Sequence, residues 1–170
     1  MNTKPEAIKI LSTGGTIDKY YAPLLGNLAL GAPAAANVLT RASVTTPYQV
    51  EMVLQKDSLE ITEDERDAIC ERIITEPVSR IIVTHGTDTM INTARLLAQK
   101  IKPSAWNKTV LFTGAMVPDS YGHSDAAFNI GFAFAMVQML PPGIYVAMNG
   151  EIFDPFHVRK NHENGCFETL

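Results

Sequence analysis

The sequence predicts an α/β protein, a mostly parallel sheet wrapped on both faces by helices. Short apolar runs of strand composition alternate along the chain with segments of helical periodicity, as repeated βα units do. Three of those runs end abruptly in threonine and glycine. Ile8–Ile10 leads into Ser12-Thr13-Gly14-Gly15-Thr16, Ile81–Val83 into Thr84-His85-Gly86-Thr87-Asp88-Thr89, and Val110–Phe112 into Thr113-Gly114-Ala115. Open α/β sheets bind ligands beyond the carboxyl ends of their strands, so three such ends read as one polar pocket.

The elements follow in order. Ala7–Leu11 is a short buried strand closed by the double glycine. Residues 18–46 break the pattern at Pro23, Gly26, Gly31 and Pro33, leaving a long loop with a short helix over Ala34–Arg41. A long loop directly after a polar strand end is more often functional than idle. Tyr48–Leu54 alternates as a strand and delivers Lys56, Asp57 and Ser58. Thr62 with Glu65 forms a capping-box pattern for a helix whose Ile69 and Ile73 share one face. Arg80–Val83 is the central strand, and a helix follows from about Asp88 with Met90, Ala94, Leu97 and Ala98 in one stripe. Lys108–Phe112 is the next strand and Gly114–His123 a loop. Ser124 or Asp125 caps a strongly apolar helix reaching Met139, and Gly143–Met148 is a further strand turning at Asn149-Gly150. The tail carries His157, Arg159, Lys160 and His162.

The 170 residues suffice for one buried core and read as a single domain over 1–170. A net charge of −4 with scattered Lys and Arg argues against a nucleic-acid partner. Cys70 and Cys166 are too few for a disulfide framework and point to reduced thiols. The N-terminal segment MNTKPEAIKILS has too short an apolar run for a signal peptide, and Ile130–Leu140, interrupted by Gly131 and Gln138, does not approach a membrane span. A cytoplasmic protein without a membrane partner is expected. His123, His157 and His162 lack metal-ligand spacing, and neither a P-loop nor a dinucleotide fingerprint occurs, so no metal and no cofactor are expected.

Thr16 stands in STGGT, where two glycines permit a sharp turn and leave backbone N–H groups free to approach a ligand. A threonine hydroxyl there can act as a nucleophile only with a base. Tyr20, Tyr21, Asp88 and Lys160 are the candidates. Taken alone, the motif reads more simply as a Gly-rich turn with Thr16 as a helix cap. Thr87-Asp88 alone likewise reads as a cap. The density of His85, Thr87, Asp88 and Thr89 after a buried strand shifts the balance, because burial and a cation could make Thr87 or a bound water reactive. Lys160 supplies that cation if the tail folds back. His85 reads as a satisfied structural histidine. Phe128, Phe132, Phe134 and Met136 read as core or subunit interface.

STGGTID at 12–18, KDSLEIT at 56–62, THGTDTM at 84–90, FTGAM at 112–116 and VRKN at 158–161 together resemble the L-asparaginase (asparaginase/glutaminase) family, in the same order over almost the whole chain. The resemblance implies a three-layer sandwich with a flavodoxin-like sheet. It also implies a threonine amidohydrolase that converts L-asparagine to aspartate and ammonia through an acyl-enzyme, without metal or cofactor. Thr16 matches the nucleophile, assisted by a tyrosine of the mobile loop, Tyr21 or else Tyr20. Thr87, Asp88 and Lys160 match a second catalytic set in which Lys160 polarises Thr87. Ser58 and Asp88 match groups holding the substrate's α-carboxylate and α-ammonium, with Asp57, Gly15 and Gly86 beside them. Ala115 matches a main-chain contact to the amide.

Two departures stand out. Family members are commonly about twice this length, so a smaller C-terminal domain is expected to be lacking. Leu59 stands where some relatives carry Gln, which predicts a more open pocket and weaker affinity. Self-association as a homodimer or homotetramer is expected to cover the apolar helix 125–139. The alternatives are a catalytically weak module that binds asparagine or aspartate, and an amidase acting on another amide such as L-glutamine.

Overall fold

The structure, a computed structural model, describes residues 6–170; the first five, part of the N-terminal segment read above for a signal peptide, lie outside that range. The strands are β1 (Ile8–Gly14), β2 (Lys19–Ala22), β3 (Asn27–Leu30), β4 (Tyr48–Lys56), β5 (Arg80–Thr84), β6 (Thr109–Thr113), β7 (Gly143–Met148), β8 (Glu151–Phe153), β9 (Val158–Asn161) and β10 (Cys166–Thr169). The helices are α1 (Ala34–Arg41), α2 (Glu63–Thr75), α3 (Met90–Lys100) and α4 (Ala126–Met136).

The main sheet runs β4-β1-β5-β6-β7-β8, parallel except for the antiparallel edge strand β8. Counted along the chain, the five parallel strands lie in the order 2-1-3-4-5, the flavodoxin-like arrangement. The direction of winding reverses between β1 and β5, which opens a crevice there. Ser12 pairs with Thr84 and Thr84 with Thr113, so the three polar strand ends lie in register across that crevice.

Both faces of the sheet are buried, which is why the strands read as continuous apolar runs. Leu11, Ile81, Val83, Val110 and Phe112 pack against α2 and α3 through Ile69, Ile73, Met90 and Leu97. Ile8, Ile10, Ile82 and Leu111 face the other way, onto Val38 and Leu39 of α1 and Ile130, Ala133 and Phe134 of α4. This is the expected three-layer sandwich. The Thr62–Glu65 capping box forms in both directions, worth about 1 kcal/mol. Arg72 grips Glu51 with two hydrogen bonds and ties α2 to β4.

Four expectations change. Residues 18–46 are not mainly loop: β2 and β3 form an antiparallel hairpin turning at Gly26, whose φ of 66° suits glycine. Alternation over four residues per strand is too short to read against the surrounding prolines. The helix after β5 begins at Met90 rather than Asp88, because Thr87–Thr89 form a separate turn. The apolar helix ends at Met136, three residues early, in a turn before Pro141-Pro142. Asp125 does not cap it by its side chain; Ser124 Oγ accepts the Ala126 N–H, while Asp125 holds the N–H groups of Met116 and Val117.

α4 buries only one side. Phe128 is exposed and stacks on Phe132 with parallel rings 6.3 Å apart, while Phe132 is half-buried against the core. Cys70 is buried and Cys166 half-buried, and both are free thiols. Among the described residues, no helix is long and apolar enough to cross a membrane.

Candidate active site

Glycine builds the site by letting strand ends touch. Gly14 and Gly15 have φ of 94° and 81°, a region that side chains avoid. A Cβ on Gly15 would lie 2.5 Å from Gly86 Cα, and one on Gly86 would lie 2.5 Å from Ser58 Oγ. A Cβ on Gly114 would collide with the His85 carbonyl. The ends of β1, β5 and β6 and the turn after β4 are therefore locked backbone to backbone. Thr13 Oγ1 bonds the Thr84 carbonyl at 3.0 Å, and His85 N–H bonds that of Thr113 at 2.9 Å. Thr16 and Thr87 each follow directly on one side of the Gly15–Gly86 contact. Thr16 is half-buried and opens a short 3-10 turn, Thr16–Asp18, rather than capping an α-helix.

Lys160 reaches the same edge. Its Nζ donates to Thr87 Oγ1 at 2.8 Å and pairs with Asp88 Oδ1 at 2.5 Å. Thr87 is buried, Asp88 half-open. The tail does fold back, as a β9–β10 hairpin. Val158 and Phe167 insert into the core, and Arg95 of α3 donates to the carbonyls of Pro155 and Val158 at 2.6 and 3.1 Å. Val158 and Lys160 lie on one side of β9 by strand alternation, so burying Val158 aims Lys160 at the site. No sequence pattern announces the Arg95 clamp.

Ser58 is buried against Gly86, and its carbonyl accepts the Thr89 hydroxyl at 2.8 Å. Thr89 is thus spent on bridging two loops instead of capping α3. Asp57 accepts from Leu59 N–H and pairs with Lys19 at 2.5 Å; the Lys19 ammonium holds its carboxyl below the usual range. Lys19, not singled out in the sequence, fastens the β2–β3 hairpin to the Asp57-Ser58 turn. Lys19 and Tyr21 share one side of β2. Tyr20 lies on the other, its ring over Gly31, beside a groove of about 610 Å³ that also exposes Asn37, Arg41 and Ser120. Ala115 is buried; Asn129 and Asp125 hold its neighbours through the Gly114 carbonyl and Met116 N–H. Leu59 is exposed.

Among the described residues the N–H groups of Gly86, Thr87 and Asp88 donate to no backbone carbonyl outside regular elements, whereas Gly15 N–H is taken by Lys56 O. No cluster of three or more His, Cys, Asp or Glu side chains able to hold a metal occurs among the described residues.

Fold and site together define a flavodoxin-like α/β chain that carries a threonine–lysine–aspartate cluster at its switch point. The chain belongs to the asparaginase family: the family model described as Asparaginase, N-terminal, matches residues 7–168. It is 29% identical over 169 residues to the L-asparaginase of Thermococcus kodakarensis, covering 95% of this chain and 50% of that protein. It is 32% identical over 162 residues to a glutamyl-tRNA(Gln) amidotransferase component of Methanococcus vannielii, covering 90% and 36%. The solved thermostable asparaginase of T. kodakarensis superposes with a TM-score of 0.81 at 28% identity, covering 96% of this chain and 51% of that one. A probable cytoplasmic L-asparaginase from Campylobacter jejuni gives 0.77 at 26%, covering 96% and 51%. The chain thus spans about half the length of these relatives, or less.

Proposed function

We propose that this chain carries the catalytic face of an amidohydrolase that converts L-asparagine to L-aspartate and ammonia through a threonine acyl-enzyme. One observation supports this above the rest: Lys160 Nζ sits 2.8 Å from Thr87 Oγ1 and 2.5 Å from Asp88 Oδ1, beside the Gly15–Gly86 contact that Thr16 adjoins. A pure binding module has no need of a hydroxyl held by an ammonium.

In this reading Thr16 Oγ attacks the side-chain amide carbon, its proton passes by way of Tyr21 to the leaving nitrogen, and ammonia departs. Water then attacks the ester, with Thr87 handling its proton under the charge of Lys160, and aspartate and the free hydroxyl are restored. The free amides of Gly86–Asp88 offer donors to the oxyanion. Asp88 holds the α-ammonium, Ser58 and Asp57 with Gly15 and Gly86 line the α-carboxyl end, and the Ala115 main chain meets the amide. The side of β2 that Tyr21 shares with Lys19 favours Tyr21 over Tyr20.

The test is ammonia release from millimolar L-asparagine, wild type beside Thr16→Ala, with L-glutamine in parallel. Release that Thr16→Ala reduces by at least ~10³-fold supports the reading. Activity retained in Thr16→Ala removes the nucleophile assignment. Faster release from L-glutamine than from L-asparagine would select glutamine as the substrate. Binding of aspartate without turnover would select the binding-module reading.

A further inference from the structure

The buried face behind the site carries a polar chain that the proposed chemistry does not use. Arg66 of α2, buried to 5% exposure, donates through Nη1 to Thr93 Oγ1 of α3 at 2.5 Å. Thr93 Oγ1 lies 2.9 Å from His85 Nε2, and His85 Nδ1 lies 2.9 Å from the Gly86 carbonyl. His85 and Thr93 are fully buried. A carbonyl can only accept, so Nδ1 carries the proton, and Nε2 of the neutral ring accepts from the Thr93 hydroxyl. Every bond in the chain then runs one way, from guanidinium to hydroxyl to imidazole to peptide.

The peptide at its end is Gly86–Thr87. Ser58, at 2.5 Å from where a Cβ would stand, forces glycine at 86, and glycine leaves the following peptide the freest to turn. The Gly86 carbonyl accepts both His85 Nδ1–H and, at 3.2 Å, the Met90 N–H. No peptide bond is cis among the described residues. In a trans peptide the C=O and N–H point in opposite directions. Anchoring the carbonyl into the start of α3 therefore turns the Thr87 N–H the other way, away from the first turn of that helix.

We infer that His85 is a positioning residue: with Arg66 and Thr93 behind it, it locks the Gly86–Thr87 peptide so that the Thr87 N–H stands ready as a donor to the substrate's developing oxyanion. The inference rests on the amidohydrolase reading for its substrate. Burial, with the Arg66 charge adding to it, holds the His85 pKa down to about 4, so the ring stays neutral and the direction of the chain is fixed at working pH. Phe112 closes the other side of the ring edge-on at 6.4 Å.

The experiment has two arms. In the kinetic arm, His85→Leu removes the Nδ1–H, while His85→Asn keeps an N–H at nearly the same place. His85→Leu is expected to lower kcat on L-asparagine on the order of 10- to 100-fold with little change in KM, less than the 10²–10³ for deleting an oxyanion donor outright. His85→Asn is expected to recover most of kcat even where both variants lose similar thermal stability. In the second arm, nitrogen-15 NMR of the wild type reads the His85 tautomer, and the exchange of the Thr87 amide is compared with that of Thr93→Val. The Nδ1–H form throughout pH 5–8 and faster Thr87 exchange in Thr93→Val are expected. Wild-type kcat in a folded His85→Leu, equal losses in the Leu and Asn variants, or an Nε2–H tautomer would overturn the inference. Should the wild type hydrolyse no amide, the functional reading fails by itself, and the NMR arm still decides whether His85 holds the peptide.

Discussion

Asp18 and His85 make opposite demands on stability, and the demands nearly cancel. Asp18 is buried in the turn after β1, where it accepts the Ser12 hydroxyl at 2.6 Å and the Ala34 N–H at 2.7 Å. Burial outweighs both bonds, and with the Asp119 charge nearby it raises the carboxyl from 3.8 to about 6. A raised folded pKa stabilises fully below 3.8 and loses that contribution as pH climbs through 6. His85 is lowered from 6.5 to about 4, so its contribution is full above 6.5 and is lost as pH falls through 4. Each shift converts to about 3 kcal/mol, of opposite sign, over nearly the same window. The wild type should therefore show nearly flat stability from pH 4.5 to 7.

Asp18→Asn removes one side of the balance. An asparagine there can accept from Ala34 and donate to Ser12 Oγ, so no hydrogen bond need be lost. The variant should be more stable at pH 7 by up to about 3 kcal/mol and should lose about that much on acidification to pH 4.5. Urea denaturation across that range, read by circular dichroism, measures both curves. Hydrogen bonds and ion pairs lower the Glu6, Glu51, Asp57, Glu65 and Glu168 carboxyls, and the stability they contribute is complete above their unfolded values and begins to be lost only at the acid edge of this range. A wild type that itself loses about 3 kcal/mol on acidification, with Asp18→Asn parallel to it, would refute the reasoning.

Two further predictions concern the glycines and the tyrosines. Gly86→Ala should cost about 1–3 kcal/mol by overpacking against Ser58, whereas Gly131→Ala, where a Cβ meets nothing within 4 Å in a helix interior, should gain about 0.5–1 kcal/mol; calorimetry ranks them, and equal effects would contradict the packing account. Tyr21→Phe should lower kcat on asparagine on the order of 10²-fold, with Tyr20→Phe near wild type; a deficit confined to Tyr20→Phe would reverse the assignment drawn from the two sides of β2.

Much of this was legible because it is local. Alternating apolar runs, the Thr62–Glu65 box and the strand ends in Thr-Gly follow from residues adjacent in sequence, and the fully buried strands advertise themselves as unbroken apolar runs. Thr16, Ser58, Thr87 and Asp88 stand directly at those strand ends, so their assembly on one edge follows once the sheet is parallel. The β2–β3 and β9–β10 hairpins were not legible. Their strands are four residues long, too short for alternation to rise above Pro23, Gly31 and the polar tail.

The sequence by itself determined the α/β class, the buried strands and the glycines at strand ends, because periodicity and backbone freedom are properties of short segments. Only the tertiary structure decided that Lys160 meets Thr87 and Asp88, that Lys19 rather than solvent neutralises Asp57, and that Thr89 bridges to Ser58 instead of capping α3. Those pairings join residues 31 to 73 positions apart. Their geometry comes from where Val158 and Phe167 find core to fill and where Arg95 finds carbonyls to hold. The same holds for the line from Arg66 through Thr93 to His85: each residue is unremarkable in its own segment, and the direction of the chain exists only once α2, α3 and β5 are packed.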